Sequence, residues 1–99
     1  MRRDDALKRL RDRQPQLRDA GVSELFLFGS VARDQAGADS DVDLLMESAD
    51  PHFSIFDLVQ VKALCREILG APTDLHHHGG LKRAAAFRTQ VEPDLIRVF

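Results

Sequence analysis

Residues 25–46 read Leu25-Phe26-Leu27-Phe28-Gly29-Ser30-Val31-Ala32-Arg33-Asp34-Gln35-Ala36-Gly37-Ala38-Asp39-Ser40-Asp41-Val42-Asp43-Leu44-Leu45-Met46, and this stretch decides the fold. An apolar run of strand length, Leu25 to Phe28, meets a Gly-Ser turn at Gly29 and Ser30. Two aspartates at i and i+2, Asp41 and Asp43, then lead into a second apolar run. Alternate strand side chains share a face, so Asp41 and Asp43 project together, about 7 Å apart. Two carboxylates held so close repel each other unless a cation lies between them. Hard oxygen donors of this kind suit Mg²⁺, which binds through one or two carboxylates together with substrate phosphates.

Outward from this centre, the pattern predicts further elements. Leu7, Leu10 and Leu17 recur at near-helical spacing, so residues 4–20 should be mostly helical, with a break near Gln14 and a second short helix begun by Pro15. Gly21 is the expected cap. Residues 23–28 form a first strand, apolar enough to be covered on both faces. Ser30–Arg33 should be a helical turn, and Asp34–Asp39 a loop. Val42–Met46 make a second buried strand, with Val42, Leu44 and Met46 facing one way and Asp41, Asp43 and Leu45 the other.

Beyond it, Ser48–His52 is a connection, and Ile55–Leu69 is the longest helix. Its apolar stripe is Leu58, Val61, Cys65 and Ile68, widened by Leu64 and Leu69. Gly70 and Pro72 stop it. Thr73–His77 reads as a short third strand, Leu81–Gln90 as a helix, and Leu95–Phe99, after Pro93, as a closing apolar piece. The fold class is α/β, or α+β, a small mixed sheet with its helices packed largely on one face.

Ninety-nine residues with 43% hydrophobic and 30% charged side chains describe one globular domain, residues 1–99. No apolar run reaches the roughly 18–20 residues of a membrane span, and no apolar segment of a secretory signal follows the charged N-terminus. The lone cysteine, Cys65, suits a reducing compartment and helix packing, so a cytoplasmic location is expected. Residues 1–18 carry seven Lys/Arg against three Asp. Such a segment is a solvated helix face or a docking surface for an acidic partner or a nucleotide. The absence of Trp and Tyr, without basic–aromatic interleaving, argues against a direct nucleic-acid surface.

Gly29-Ser30, Arg33, Ser40-Asp41-Val42-Asp43-Leu44 and the later Thr73-Asp74-Leu75 resemble the pattern of the polymerase-β-type nucleotidyltransferases. Within that superfamily they are similar to the minimal nucleotidyltransferases, the MNT antitoxin partners of HEPN-domain toxins. The resemblance implies the nucleotidyltransferase fold, with Asp41, Asp43 and Asp74 as catalytic metal ligands for Mg²⁺, most simply two ions. It implies ATP as substrate, cradled by Gly29 and Ser30 with Arg33 and Ser40 nearby. The implied reaction transfers AMP to a hydroxyl, with a tyrosine of a HEPN-type toxin as acceptor, in a hetero-complex or oligomer. A non-catalytic antitoxin that neutralises by binding, and a subunit of an antibiotic nucleotidyltransferase, are the alternatives.

Two features depart from a plain match. Asp34 stands where the family has Gly after Ala-Arg, a position where glycine would tolerate positive φ. Read from the residues alone, Arg33 is a phosphate contact or a partner for Asp39 or Asp41, and Ser40 a turn-capping hydroxyl or a ligand. His76-His77-His78 is the other departure: His76 and His78 share a strand face with Asp74, yet three successive histidines cannot all reach one ion. At most, His76 is expected to touch substrate. Phe53, Phe56 and Phe87 are read as core or interface residues rather than a base-stacking platform.

Overall fold

A computed structural model describes residues 1–37, 40–77 and 94–99. The helix expected at Leu81–Gln90 lies outside the described residues, as do Pro93, His78, Phe87 and Asp39. The chain begins with α1 (Arg3–Asp12) and α2 (Gln14–Asp19), divided at Arg13 with Pro15 in the first turn of α2, as the sequence predicts. Then follow β1 (Glu24–Phe28), a single helical turn α3 (Gly29–Ala32), and β2 (Val42–Glu47). The long helix α4 (Ile55–Leu69), β3 (Thr73–His77) and β4 (Ile96–Arg97) complete the described elements.

The strands form one mixed sheet in the order β3-β2-β1-β4. β1 is antiparallel to both β2 and β4, while β2 and β3 run parallel. A parallel pair needs a crossover, and α4 supplies it. Helix α4 starts at a capping box: Ser54 Oγ accepts from the Asp57 amide while the Asp57 carboxylate accepts from the Ser54 amide. It ends at Gly70, whose φ of 64° is the left-handed conformation the sequence predicts for that cap. The C-terminal piece, which had no assigned partner in the sequence, docks on the free edge of β1, where the Val98 amide donates to the Leu25 carbonyl at 2.8 Å.

One face of the sheet carries the main core. Leu25 and Leu27 of β1, Val42, Leu44 and Met46 of β2, and Leu75 of β3 pack there against Leu7, Leu10, Leu17, Val61, Cys65 and Leu69 of the helices. Each fully buried aliphatic side chain stabilises the fold by about 1.5–3 kcal/mol. The opposite face holds a smaller cluster of Phe26, Phe28 and Leu45, with Leu95 against it. β1 is thus apolar on both faces because both faces are covered.

Three arginines of the basic N-terminal segment bond to the chain's own backbone. Arg9 donates to the Leu69 carbonyl at 2.8 Å, at the C-terminus of α4, where a cation also complements the helix dipole. Arg11 donates to the carbonyls of Val98 and Arg97, and Arg18 donates to the Ser23 carbonyl while its guanidinium lies 4.8 Å over the Phe99 ring. These arginines tie backbone ends together rather than form a free electrostatic face.

Candidate active site

Strand register builds the site. Parallel pairing of β2 with β3 sets Asp43 beside Asp74 and Leu45 beside His76. Alternation turns Asp43, Asp74 and His76 to the face opposite the main core, since their neighbours Leu44 and Leu75 are core residues. One ligand atom from each of Asp43, Asp74 and His76 lies within 4.8 Å of the other two. The His76 Nε2 atom is 3.1 Å from Asp74 Oδ2, and its ring is tilted at 54° against Phe28 with centroids 5.5 Å apart.

Gly29 closes the site from the β1 side. Its φ is 76°, and a Cβ there would collide with the Asp43 carboxylate, meeting Cγ at 3.1 Å as well. Only glycine lets the chain turn out of β1 into α3 while Asp43 keeps its place. The first amides of a helical turn such as α3 have no acceptor within the turn itself, and Gly29 and Ser30 stand at that end of it.

The electrostatics are those of an acidic pair only partly offset by its neighbours. Burial pushes the Asp43 carboxyl above its usual range, and the Asp74 charge beside it pushes the same way. His76 opposes the shift, Asp41 adds to it, and Arg33 offsets part of it. Asp41 itself is exposed, just ahead of β2, and lies outside the three-atom cluster. Two carboxylates and a ring nitrogen at these separations fit a divalent cation, because donors around an octahedral ion with bonds of about 2.1 Å sit about 3–4 Å apart.

The other predicted residues take definite positions. Arg33 pairs with Asp94, Nη1 to Oδ2 at 2.7 Å, and its Nε donates to Gln35 Oε1 at 3.2 Å. From sequence Arg33 was expected as a phosphate contact or a partner for Asp39 or Asp41; Asp39 lies outside the described residues, and the structure adds Asp94, 61 residues away, which no local pattern could reveal. Ser40 Oγ accepts from the Gly37 amide at 3.0 Å, the turn-capping use. Asp34 sits at φ 59°, so the positive φ suspected there is real, and its carboxylate accepts from the Arg3 amide at the start of α1. That carboxylate is committed to a helix terminus.

Of the three histidines, His76 is the one the structure brings to the acidic pair, on the face that the sequence assigns it with Asp74. Its signal was present in the i, i+2 spacing from Asp74, but three adjacent histidines obscured it. Among the others, His77 takes the core face, its ring 4.9 Å from Phe53. A concavity lined by Ser48, Asp50, Pro51, Phe53 and His77 opens beyond the far end of β2 from Asp43.

The sequence pattern of the nucleotidyltransferase domain matches residues 4–99. The chain belongs to the nucleotidyltransferase domain family. A solved structure described as a "putative minimal nucleotidyltransferase" is 32% identical to this nucleotidyltransferase domain, with a TM-score of 0.70, covering 91% of this chain and 93% of that one. A Methanocaldococcus jannaschii protein named "putative protein adenylyltransferase" is 38% identical over 61 residues, 62% of this chain and 64% of that relative. The match thus spans a little under two thirds of the relative's length. The fold also recurs, at a TM-score of 0.62 and 18% identity, in a chain of the complex of tri-AMPylated Shewanella oneidensis HEPN toxin with MNT antitoxin, covering 94% of this chain and 71% of that one.

Proposed function

We propose that this domain is a divalent-cation-dependent protein adenylyltransferase that moves AMP from ATP to a hydroxyl of a partner protein, acting as the antitoxin of a HEPN-type toxin in the cytoplasm. The observation that carries this reading is the pair Asp43 and Asp74, side by side on parallel strands, with Asp43 pressed against Gly29. The family match supports the reaction class, and the tri-AMPylated toxin of the Shewanella complex supports AMP as the group transferred and a HEPN protein as acceptor.

In this reading Asp41, Asp43 and Asp74 hold one or two divalent ions, Mg²⁺ in the family's usual chemistry. When bound, such ions neutralise the triphosphate and stabilise charge on the attacking and leaving oxygens. Gly29 lets the backbone approach the phosphates, and the Ser30 turn donates to their non-bridging oxygens. Arg33 and Ser40 would contribute phosphate contacts to this cradle, Arg33 from a guanidinium it now shares with Asp94. The acceptor hydroxyl, a tyrosine in the simplest case, attacks the α-phosphorus; the new O–P bond forms as pyrophosphate leaves, and the hydroxyl proton passes to Asp74 or to solvent. The partner brings the acceptor hydroxyl to the cleft.

The test is to incubate the protein with the product of the neighbouring reading frame, ATP and Mg²⁺, and to follow that product by intact mass. An AMP adduct that disappears with Asp43→Asn is the expected result. Stable complex formation with no adduct, unaltered by Asp43→Asn, would replace this reading with neutralisation by binding alone.

A further inference from the structure

The family's chemistry calls for oxygen ligands, yet a nitrogen stands in this cluster. His76 follows Asp74 by two residues on β3, so both side chains leave the same face of the strand. Its Nε2 lies 3.1 Å from Asp74 Oδ2, one of its ring nitrogens lies within 4.8 Å of carboxylate oxygens of both Asp43 and Asp74, and the ring centroid is 5.5 Å from that of Phe28. The imidazole is also the more sheltered partner: its side chain is 31% exposed against 50% for Asp74. A ring resting on Phe28, with Nε2 beside Asp74 and the Asp43 carboxylate close by, has the placement of a ligand held in advance of its ion.

We propose that His76 Nε2 is a third ligand beside Asp43 and Asp74, and that it makes the site prefer a first-row transition ion such as Mn²⁺ or Co²⁺ over Mg²⁺. The inference rests on the reading of Asp43 and Asp74 as cation ligands. Mg²⁺ takes oxygen donors and gives up its water reluctantly, so an imidazole adds little to its binding. Transition ions accept nitrogen readily, with affinity for a mixed nitrogen–oxygen site rising from Mn²⁺ to Co²⁺. A neutral imidazole with its proton on Nδ1 presents the Nε2 lone pair to the ion. With an ion bound, His76 and Asp74, now in contact with each other, would both be available to hold it.

The experiment uses the 99-residue chain and its His76→Gln and Asp43→Asn variants, with equal melting temperature and far-ultraviolet circular dichroism for His76→Gln as the check on folding. Mn²⁺ is titrated by electron paramagnetic resonance and competed with Mg²⁺, and pulsed measurements read nitrogen-14 coupling to the bound ion. The expected result is directly coordinated nitrogen in the native protein, lost in His76→Gln. Mn²⁺ affinity should fall roughly 10- to 100-fold in that variant, and Mg²⁺ affinity by less than about threefold. Bound Mn²⁺ without nitrogen coupling, or coupling that survives His76→Gln, overturns the proposal while leaving the carboxylate site standing. Mn²⁺ binding that is absent, or indifferent to Asp43→Asn, overturns both the proposal and the reading beneath it.

Discussion

Gly29 and Asp43 approach so closely that no side chain fits between them: a Cβ on the glycine would strike the aspartate carboxylate. The contact couples the turn that would receive a triphosphate to a carboxylate that would hold its cation. Gly29→Ala therefore faces two penalties. Its φ of 76° costs an alanine about 1–2 kcal/mol, and the Asp43 side chain must swing away. A displacement of about 1 Å at a reacting centre can cost on the order of 100-fold in rate. The expected outcome is a folded protein with a modestly lower melting temperature and adenylyltransfer reduced by about two orders of magnitude. Circular dichroism and the intact-mass assay check it together; a fully active Gly29→Ala protein would separate the turn from the site.

Asp43 makes the metal-free protein dependent on pH in a definite sense. Burial and the Asp74 charge raise its carboxyl pKa above the unfolded value. Between those two values the folded state holds more protons than the unfolded one, so stability falls as pH rises through that window and stays reduced at neutral pH. Asp43→Asn removes the penalty, and its metal-free melting temperature at pH 7 should exceed that of the native protein while activity is lost. Divalent cation should reverse the order. At 100 times the dissociation constant, ligand adds about 2.7 kcal/mol, and each kcal/mol raises the melting temperature of a domain this size by about 4–8 °C. Asp43→Asn should show little of that rise. Thermal melts with and without Mn²⁺ or Mg²⁺ at pH 5 and pH 7 decide it.

Local periodicity made much of this fold legible. The alternation Val42, Leu44, Met46 against Asp43 and Leu45 foretold which face of β2 would join the core. The helix Ile55–Leu69 was readable end to end because Ser54 and Gly70 are strong boundary residues, although its capping box was not noticed. The stripe on that helix was selected correctly too, since Ile55, Phe56 and Val59 remain exposed. What sequence could not supply is pairing across distance. That Asp74 stands beside Asp43 depends on parallel register over a 15-residue crossover helix, and only the family resemblance suggested it. The Arg33–Asp94 bridge and the docking of Ile96–Arg97 on β1 were hidden for the same reason.

The Asp34 substitution for the family glycine is tolerated because its side chain gains a partner. At φ 59° a residue with a Cβ is disfavoured, yet the Asp34 carboxylate accepts from the Arg3 amide at 3.1 Å. Asp34→Gly relieves the backbone and loses the bond, so its stability should stay within about 0.5 kcal/mol of native. Asp34→Ala loses the bond and keeps the unfavourable φ, and should be destabilised by about 1 kcal/mol. Urea denaturation of the two variants checks the order; Ala as stable as Gly would mean the left-handed conformation is not enforced.

Cys65 offers a second, independent readout of packing. It is fully buried, and burial pushes its thiol up to about 12 from 9.0. The thiolate is the reactive form, so at pH 8 the folded protein should label with a disulfide reagent only as fast as it opens, and denaturant should accelerate labelling sharply. The same shift predicts an alkaline loss of stability. The unfolded thiol ionises first, so the folded state binds more protons above pH 9 and stability declines by about 1.4 kcal/mol per pH unit from this group alone. Lysines also titrate in that range, which makes the comparison with Cys65→Ala necessary. That variant should be about 1–2 kcal/mol less stable at pH 7, from lost packing, yet show a shallower decline between pH 9 and pH 11. Parallel slopes for the two proteins in urea melts across that range would mean the thiol reaches solvent in the native state.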